Sequence, residues 1–354
     1  MKHLSPIYKR LAFNSLKLSG LVLLSFLFMV ACADEPKLEN ASADGAVNIV
    51  IPHFPEIPVP ADRPLTKKRI ALGKLLFEDP ILSRNNNISC ESCHLIPKAF
   101  TDGLPVSVGT EGRRTLRNSP TLFNVAWQPY LFMDGGNPTL ESQAIGPIEE
   151  HSEMDIPFTE ALARVANHPE YPALFQEAFA DGVNPYTLTT ALGTYQRALV
   201  SYNSPFDQFF YAKDSSALSQ SEQRGLQLFS SQKLGCQSCH SFPLTTNFKF
   251  ENNGFPTDFS VDEGRARVTL NPADLGKFKV PTLRNIELTA PYMHNGSLQT
   301  LEDVIDHYAS GGSKMANQST LVQGFTISES EKKDLINFLK ALTDTSSFRQ
   351  YTQF

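Results

Sequence analysis

Cys90-Glu91-Ser92-Cys93-His94 and Cys236-Gln237-Ser238-Cys239-His240 are two copies of C-x-x-C-H in one chain of 354 residues. Two thiols at this spacing each form a thioether with one vinyl group of the same porphyrin, and the histidine that follows reaches the iron. The pattern predicts two covalently bound c-type haems, attached through Cys90, Cys93, Cys236 and Cys239 and ligated by His94 and His240. A dithiol redox pair has no use for the following histidine. Zinc-binding C-x-x-C pairs usually stand within roughly 15–20 residues of each other, and these two stand at positions 90 and 236.

Working outward, each motif is preceded by an apolar helical segment with the same signature. Gly73-Lys74-Leu75-Leu76-Phe77 precedes the first and Gly225-Leu226-Gln227-Leu228-Phe229 the second. Helix, loop and C-x-x-C-H thus occur twice, which points to duplication of a small cytochrome c-like unit. Apolar periodicity predicts helices over 65–77, 159–166, 187–202 and 221–229. Thr300 caps a further helix on which Leu301, Val304, Ile305 and Tyr308 fall on one face, with His307 directed elsewhere. Ser328 and Glu331 form a capping box before a last helix that buries Leu335, Ile336, Phe338, Leu339 and Leu342. Strand runs are short. The fold class is mainly α, with two cytochrome c-like haem domains in tandem.

The N-terminus carries Lys2, Lys9, Arg10 and Lys17 without an acid, then an apolar run from Leu18 to Val30 that is short for a bilayer span. It ends in Met29-Val30-Ala31-Cys32, a sequence that looks like a bacterial lipobox; ordinary secretion with cleavage near Ala31 or Ala33 is the alternative. Either route exports the chain. This is the role left for Cys32, the fifth cysteine: lipidation, hence a periplasmic lipoprotein, with Ala33 pointing to the outer membrane. The expected division is a leader over 1–31, a Pro-rich tether over 32–60, a first haem domain over 61–213 and a second over 214–354. The net charge of −6 becomes more negative when the leader is removed. An acidic surface argues against a nucleic-acid partner, and no further segment is long enough to span a membrane, so any membrane contact is through the N-terminal lipid.

The segments CESCHLIPKAFTDG, PVSVG, RNSPTLFN, DGGNPTLESQAIGPIEEHSEM, CQSCHSFP, KVPTLRNIELTAPYMHNGS and TLEDVIDHYASGG, in this order over roughly residues 60–345, resemble the bacterial di-haem cytochrome c peroxidase and MauG family. The resemblance implies haems held at and near the domain interface, the N-terminal one meeting peroxide and the C-terminal one receiving electrons. It implies that Glu153 is the distal acid/base group, with Glu149 and Glu150 as alternatives, and that Gln143 is the distal glutamine. Where peroxidases of this family carry a removable histidine ligand, this chain has Thr110, which implies a first haem open to peroxide without prior activation. At the second haem, Tyr308 falls where classical members place a ligating methionine and MauG relatives a tyrosine. Met293 is the rival ligand, and His294 and His307 are weaker ones. Asn118, with the carbonyls of Thr289 and Pro291, matches a calcium site of oxygen donors. One departure is Met133, standing where the family has a tryptophan between the haems; Trp127 lies nearby in sequence.

Three functions follow from these residues. The first is reduction of hydrogen peroxide with electrons from a small cytochrome or copper protein. The second is peroxide-driven oxidation of side chains on a partner protein, favoured by Tyr308 and weakened by Met133. The third is a di-haem carrier or sensor without catalysis, which the Gln143 and Glu153 pair argues against. The family resemblance also implies a homodimer.

Overall fold

The computed structural model describes residues 37–40, 45–256 and 258–351, so the leader and Cys32 lie outside the described residues. Residues 36–354 form one compact unit. In chain order its elements are strands β1 (Lys37–Asn40) and β2 (Val47–Val50) and helices α1 (Lys67–Glu78), α2 (Leu140–Glu149), α3 (Phe158–Ala166), α4 (Tyr171–Ala178), α5 (Pro185–Ala198), α6 (Pro205–Phe210) and α7 (Gln220–Phe229). Strand β3 (Phe250–Glu251), α8 (Ala266–Thr269), β4 (Phe278–Lys279), α9 (Leu301–Ser310), α10 (Glu329–Lys340) and α11 (Thr345–Tyr351) complete it. Among the described residues the strands form two short antiparallel pairs, β1 with β2 and β3 with β4. The mainly helical fold expected from periodicity is the one observed.

The duplication is visible in the packing. Helix α1 lies against α5, and α7 lies against α10. A Cβ on Gly73 would collide with the carbonyl of Ala191 and come within 2.8 Å of Tyr195 Cβ. A Cβ on Gly225 would collide with the carbonyl of Asp334 and come within 2.7 Å of Phe338 Cβ. Four residues on from each glycine, Phe77 meets the Tyr195 ring at 5.2 Å and Phe229 meets Phe338 at 5.1 Å. Both helices that precede a motif therefore cross their partners at a glycine, and both aim a phenylalanine at the same relative position. Gly73→Ala and Gly225→Ala are each expected to cost about 1–3 kcal/mol, because neither backbone contact can move without separating a helix pair. Equilibrium urea unfolding of the two variants checks this.

Two buried clusters follow from these pairs. The first gathers Leu76, Phe77, Phe100, Phe123, Leu192 and Tyr195, and the second Phe206, Phe229, Ile305, Leu335, Phe338 and Leu342. Two stretches of the chain pack in ways that the sequence pattern does not show. Helix α6 packs into the second cluster through Phe206, while Leu199, Val200 and Tyr202 are buried in the first, so the buried side chains change cluster between Tyr202 and Phe206. Part of the stretch read as a tether is not a loose lead-in, since Val47, Ile49, Ile51 and Ile57 are buried in the first cluster. The prolines there set an extended path, but the alternate apolar side chains pin it to the body. Helix α5 also ends at Ala198, short of the predicted 202, where Ser201 and Asn203 are drawn into side-chain hydrogen bonds instead.

Candidate active site

Each C-x-x-C-H opens with a short 3-10 turn, Cys90–Ser92 in one and Cys236–Ser238 in the other. The turn brings the histidine N–H onto the first cysteine carbonyl at 3.0 Å in both cases. The ring then takes a fixed role. His94 Nδ1 is 2.7 Å from the carbonyl of Phe100, and His240 Nδ1 is 3.0 Å from that of Thr245. A carbonyl only accepts, so Nδ1 carries the proton and Nε2 keeps its lone pair for a metal. Burial favours the neutral ring, lowering His94 and bringing His240 to about 4. It also pushes the thiols up, Cys90 to about 12 and Cys93 and Cys236 to about 11. All four cysteines are unpaired, and among the described residues no three His, Cys, Asp or Glu side chains converge as a metal cage. Two neutral imidazoles, each beside two protonated thiols and short of further protein donors, fit a haem that supplies its own four nitrogens.

Around the first motif, the loop after His94 closes on the turn that follows α2. Thr110 N–H donates to the carbonyl of Glu153 at 2.8 Å, and the buried Thr110 hydroxyl donates to the carbonyl of Met154 at 3.3 Å. Thr110 is thereby committed to the backbone of that turn. Asp155 anchors the same turn by accepting from Arg84 at 2.7 Å and from Arg113. Among the described residues no cation pairs with Glu153, which is half-buried. Burial first, and then the charge of Glu150, raise its carboxyl to about 7. Its own charge in turn raises both Cys90 and Cys93, which places it beside the first motif. Glu149 and Glu150 are exposed, and Glu149 is turned to the Phe158 N–H at 3.1 Å. Gln143 is half-buried on α2, the helix that leads into the Glu153 turn.

Around the second motif, Tyr308 on α9 lies close enough to Cys236 and Cys239 for their charges to raise it, an effect smaller than that of burial. His307, next to Tyr308 on the helix, is half-buried and reaches the same residue as Tyr308 by a different atom. Its Nε2–H donates to the carbonyl of Asn253 at 3.1 Å, while Tyr308 Oη accepts from Asn253 Nδ2 at 3.2 Å. Neighbours on a helix diverge by about 100°, and the long Asn253 residue spans that gap by using backbone for one and side chain for the other. Met293 Sδ is 3.4 Å from the same Nδ2. His294 stacks on Phe278 at 4.0 Å, and burial holds it near 4. Asn253 is the residue that motif reading does not reveal, since nothing distinguishes it from Asn252 in the sequence.

Met133 occupies a strongly clamped segment. Its carbonyl accepts from Lys279 N at 2.7 Å. The fully buried Asp134 accepts from Arg117 at 2.8 Å and from Arg267 at 2.7 Å, and Arg117 reaches on to Asp262 at 2.7 Å. Trp127 is directed elsewhere, its indole N–H donating to the carbonyl of Pro55 at 3.1 Å. Asn118 stands beside the 291–294 turn, its N–H on the His294 carbonyl at 2.8 Å, and its Nδ2 donates to Leu104 O at 2.8 Å. No helix among the described residues is long and apolar enough to cross a membrane.

Residues 67–216 match the family described as di-haem cytochrome c peroxidase. The chain is 37% identical over 288 residues to the methylamine utilization protein MauG of Methylorubrum extorquens, covering 81% of each chain. The chain belongs to the di-haem cytochrome c peroxidase family. It is also 36% identical over 331 residues to the cytochrome-c peroxidase IdrP1 of Denitromonas iodatirespirans, covering 82% of this chain and 86% of that one. A solved MauG-like protein associated with microbial copper homeostasis superposes with a TM-score of 0.77 at 34% identity, over 84% of this chain and 96% of its own. The di-haem peroxidase BthA of Burkholderia thailandensis, at 23% identity and a TM-score of 0.71, shares the fold. Membership makes this chain a peroxidase-type oxidoreductase built for two haems, as the paired motifs imply.

Proposed function

We propose that this di-haem peroxidase reduces hydrogen peroxide to water at the His94 haem, with Glu153 moving the proton. The observation that carries this reading is the Glu153 carboxyl, half-buried beside the first motif, raised to about 7 and without a cation to hold it ionised. A carboxyl of that strength accepts a proton from one peroxide oxygen and returns it to the departing one near neutral pH. Gln143 orients the peroxide. The haem would supply the electron transfer when bound, and His94, oriented by the Phe100 carbonyl, would hold its iron. Thr110 supports direct access, because its hydroxyl is occupied by the Met154 carbonyl. At the second motif, His240 and Tyr308 would hold the other haem, which would supply the entry for electrons from a small cytochrome or copper protein. Asn118, with the carbonyls of Thr289 and Pro291, holds one calcium ion. Covalent attachment through the four motif cysteines and a lipid on Cys32 place the enzyme in the periplasm at a membrane surface.

A second reading, oxidation of side chains on a partner protein, is favoured by the placement of Tyr308 near Cys236 and Cys239. Stopped-flow mixing of the all-ferric protein with peroxide tests the common part of both. A prompt change in the haem spectrum before any reductant is added is expected. An inert ferric form that reacts only after one-electron reduction overturns the assignment of Thr110 and Tyr308. Steady turnover with a reduced cytochrome or cupredoxin then selects the first reading over the second.

A further inference from the structure

Asn253 meets both side chains that could complete the second haem. Its Nδ2 lies 3.2 Å from Tyr308 Oη and 3.4 Å from Met293 Sδ. Its orientation is not arbitrary. Asn253 Oδ1 accepts the Phe255 N–H at 3.1 Å, which leaves the NH2 end as the one turned toward oxygen and sulfur. Its backbone is held as well, by His307 Nε2 on the carbonyl. Met293 reaches this place from a left-handed backbone conformation, φ 73°, which is costly for a side chain other than glycine. Two candidate donors of opposite character, a hard phenol oxygen and a soft thioether, thus converge on a single rigid N–H donor.

We propose that Asn253 is the positioning residue that selects Tyr308 over Met293 as the second haem's ligand and sets how strongly Tyr308 donates. The inference rests on Tyr308 being that ligand. An N–H bond is strong to a phenol or phenolate oxygen and weak to a thioether. The same amide therefore stabilises the oxygen ligand while contributing little to the sulfur. By drawing electron density from the oxygen it also weakens the bond to iron, and hydrogen bonds to a ligand from outside the coordination sphere are a recognised lever on haem potential. His307, by fixing the Asn253 backbone, keeps this donor in place.

The test uses the holoprotein with both haems attached. Asn253→Leu removes the donor; Asn253→Asp keeps an acceptor for Phe255 N–H but sets an anionic oxygen against Tyr308. In Asn253→Leu the reduction potential of one haem should fall and its ferric near-infrared magnetic circular dichroism bands should shift, with the other haem unchanged. In Asn253→Asp the oxygen-ligand signature should give way to a thioether signature, which adding Met293→Leu abolishes. Tyr308→Phe is measured alongside. If Tyr308→Phe alters the second haem while both Asn253 variants keep its wild-type bands and potential, the proposal is overturned. If Tyr308→Phe itself changes nothing, the ligand assignment falls and takes the proposal with it.

Discussion

Replacing Glu153 by glutamine is expected to lower kcat/KM for peroxide by about 10²–10⁴-fold while both haems stay attached. Glutamine keeps the shape and loses the proton-accepting oxygen. The pH dependence follows from the raised carboxyl. The base form is the one that takes the first proton, so the wild-type rate should fall about tenfold per pH unit below about 7 and level off above it. The variant should lack this limb. Stability moves the opposite way. With a folded carboxyl near 7 against an ordinary value of 4.5, no stability is lost below 4.5, the loss grows as pH rises from there to about 7, and it is complete above. Glutamine never ionises, so thermal melts above pH 7 should show the variant at least as stable as the parent. Loss of rate together with unfolding would refute the assignment of Glu153 to the chemistry.

Asp207→Ala should destabilise the fold by about 3–5 kcal/mol, the largest effect expected of a residue remote from the haem motifs. Arg284 is fully buried and donates twice to Asp207 at 2.8 Å, and once through Nε to the carbonyl of Pro243 at 2.8 Å. Asp207 also accepts the Ser204 N–H at 2.9 Å, capping α6. Its removal leaves a buried guanidinium without its hydrogen-bonded carboxylate, with only the charge of Asp344 acting on it from further off. The Arg284 plane lies 4.7 Å above the Phe54 ring, so the same defect loosens the N-terminal segment. Urea unfolding gives the magnitude. Asp207→Ala with Arg284→Met should recover much of the loss, since the main penalty is the stranded charge. A double variant no better than the single one would show that capping of α6, not charge burial, carries the effect.

Much of this protein could be read from short-range pattern. Gly73 and Gly225, each four residues before a phenylalanine, marked the duplicated helix, and the structure shows why both are glycines. Thr300 and Ser328 announced the starts of α9 and α10, and both cap as expected. The burial of Val47, Ile49, Ile51 and Ile57 was less visible, because prolines beside them read as a spacer. The Asp134, Arg117, Asp262 and Arg267 clamp was not legible at all. Acidic and basic residues in polar loops look the same whether they are solvated or buried against a partner more than a hundred positions away.

The paired C-x-x-C-H motifs, the mainly helical fold and the family are legible in the sequence, because each depends on residues a few positions apart. Folding adds that Thr110 is tied to the Glu153 turn, that no described cation pairs with Glu153, and that Asn253 stands between Tyr308 and Met293. Those facts depend on desolvation and on hydrogen bonds between distant segments, and neither exists until the chain has folded.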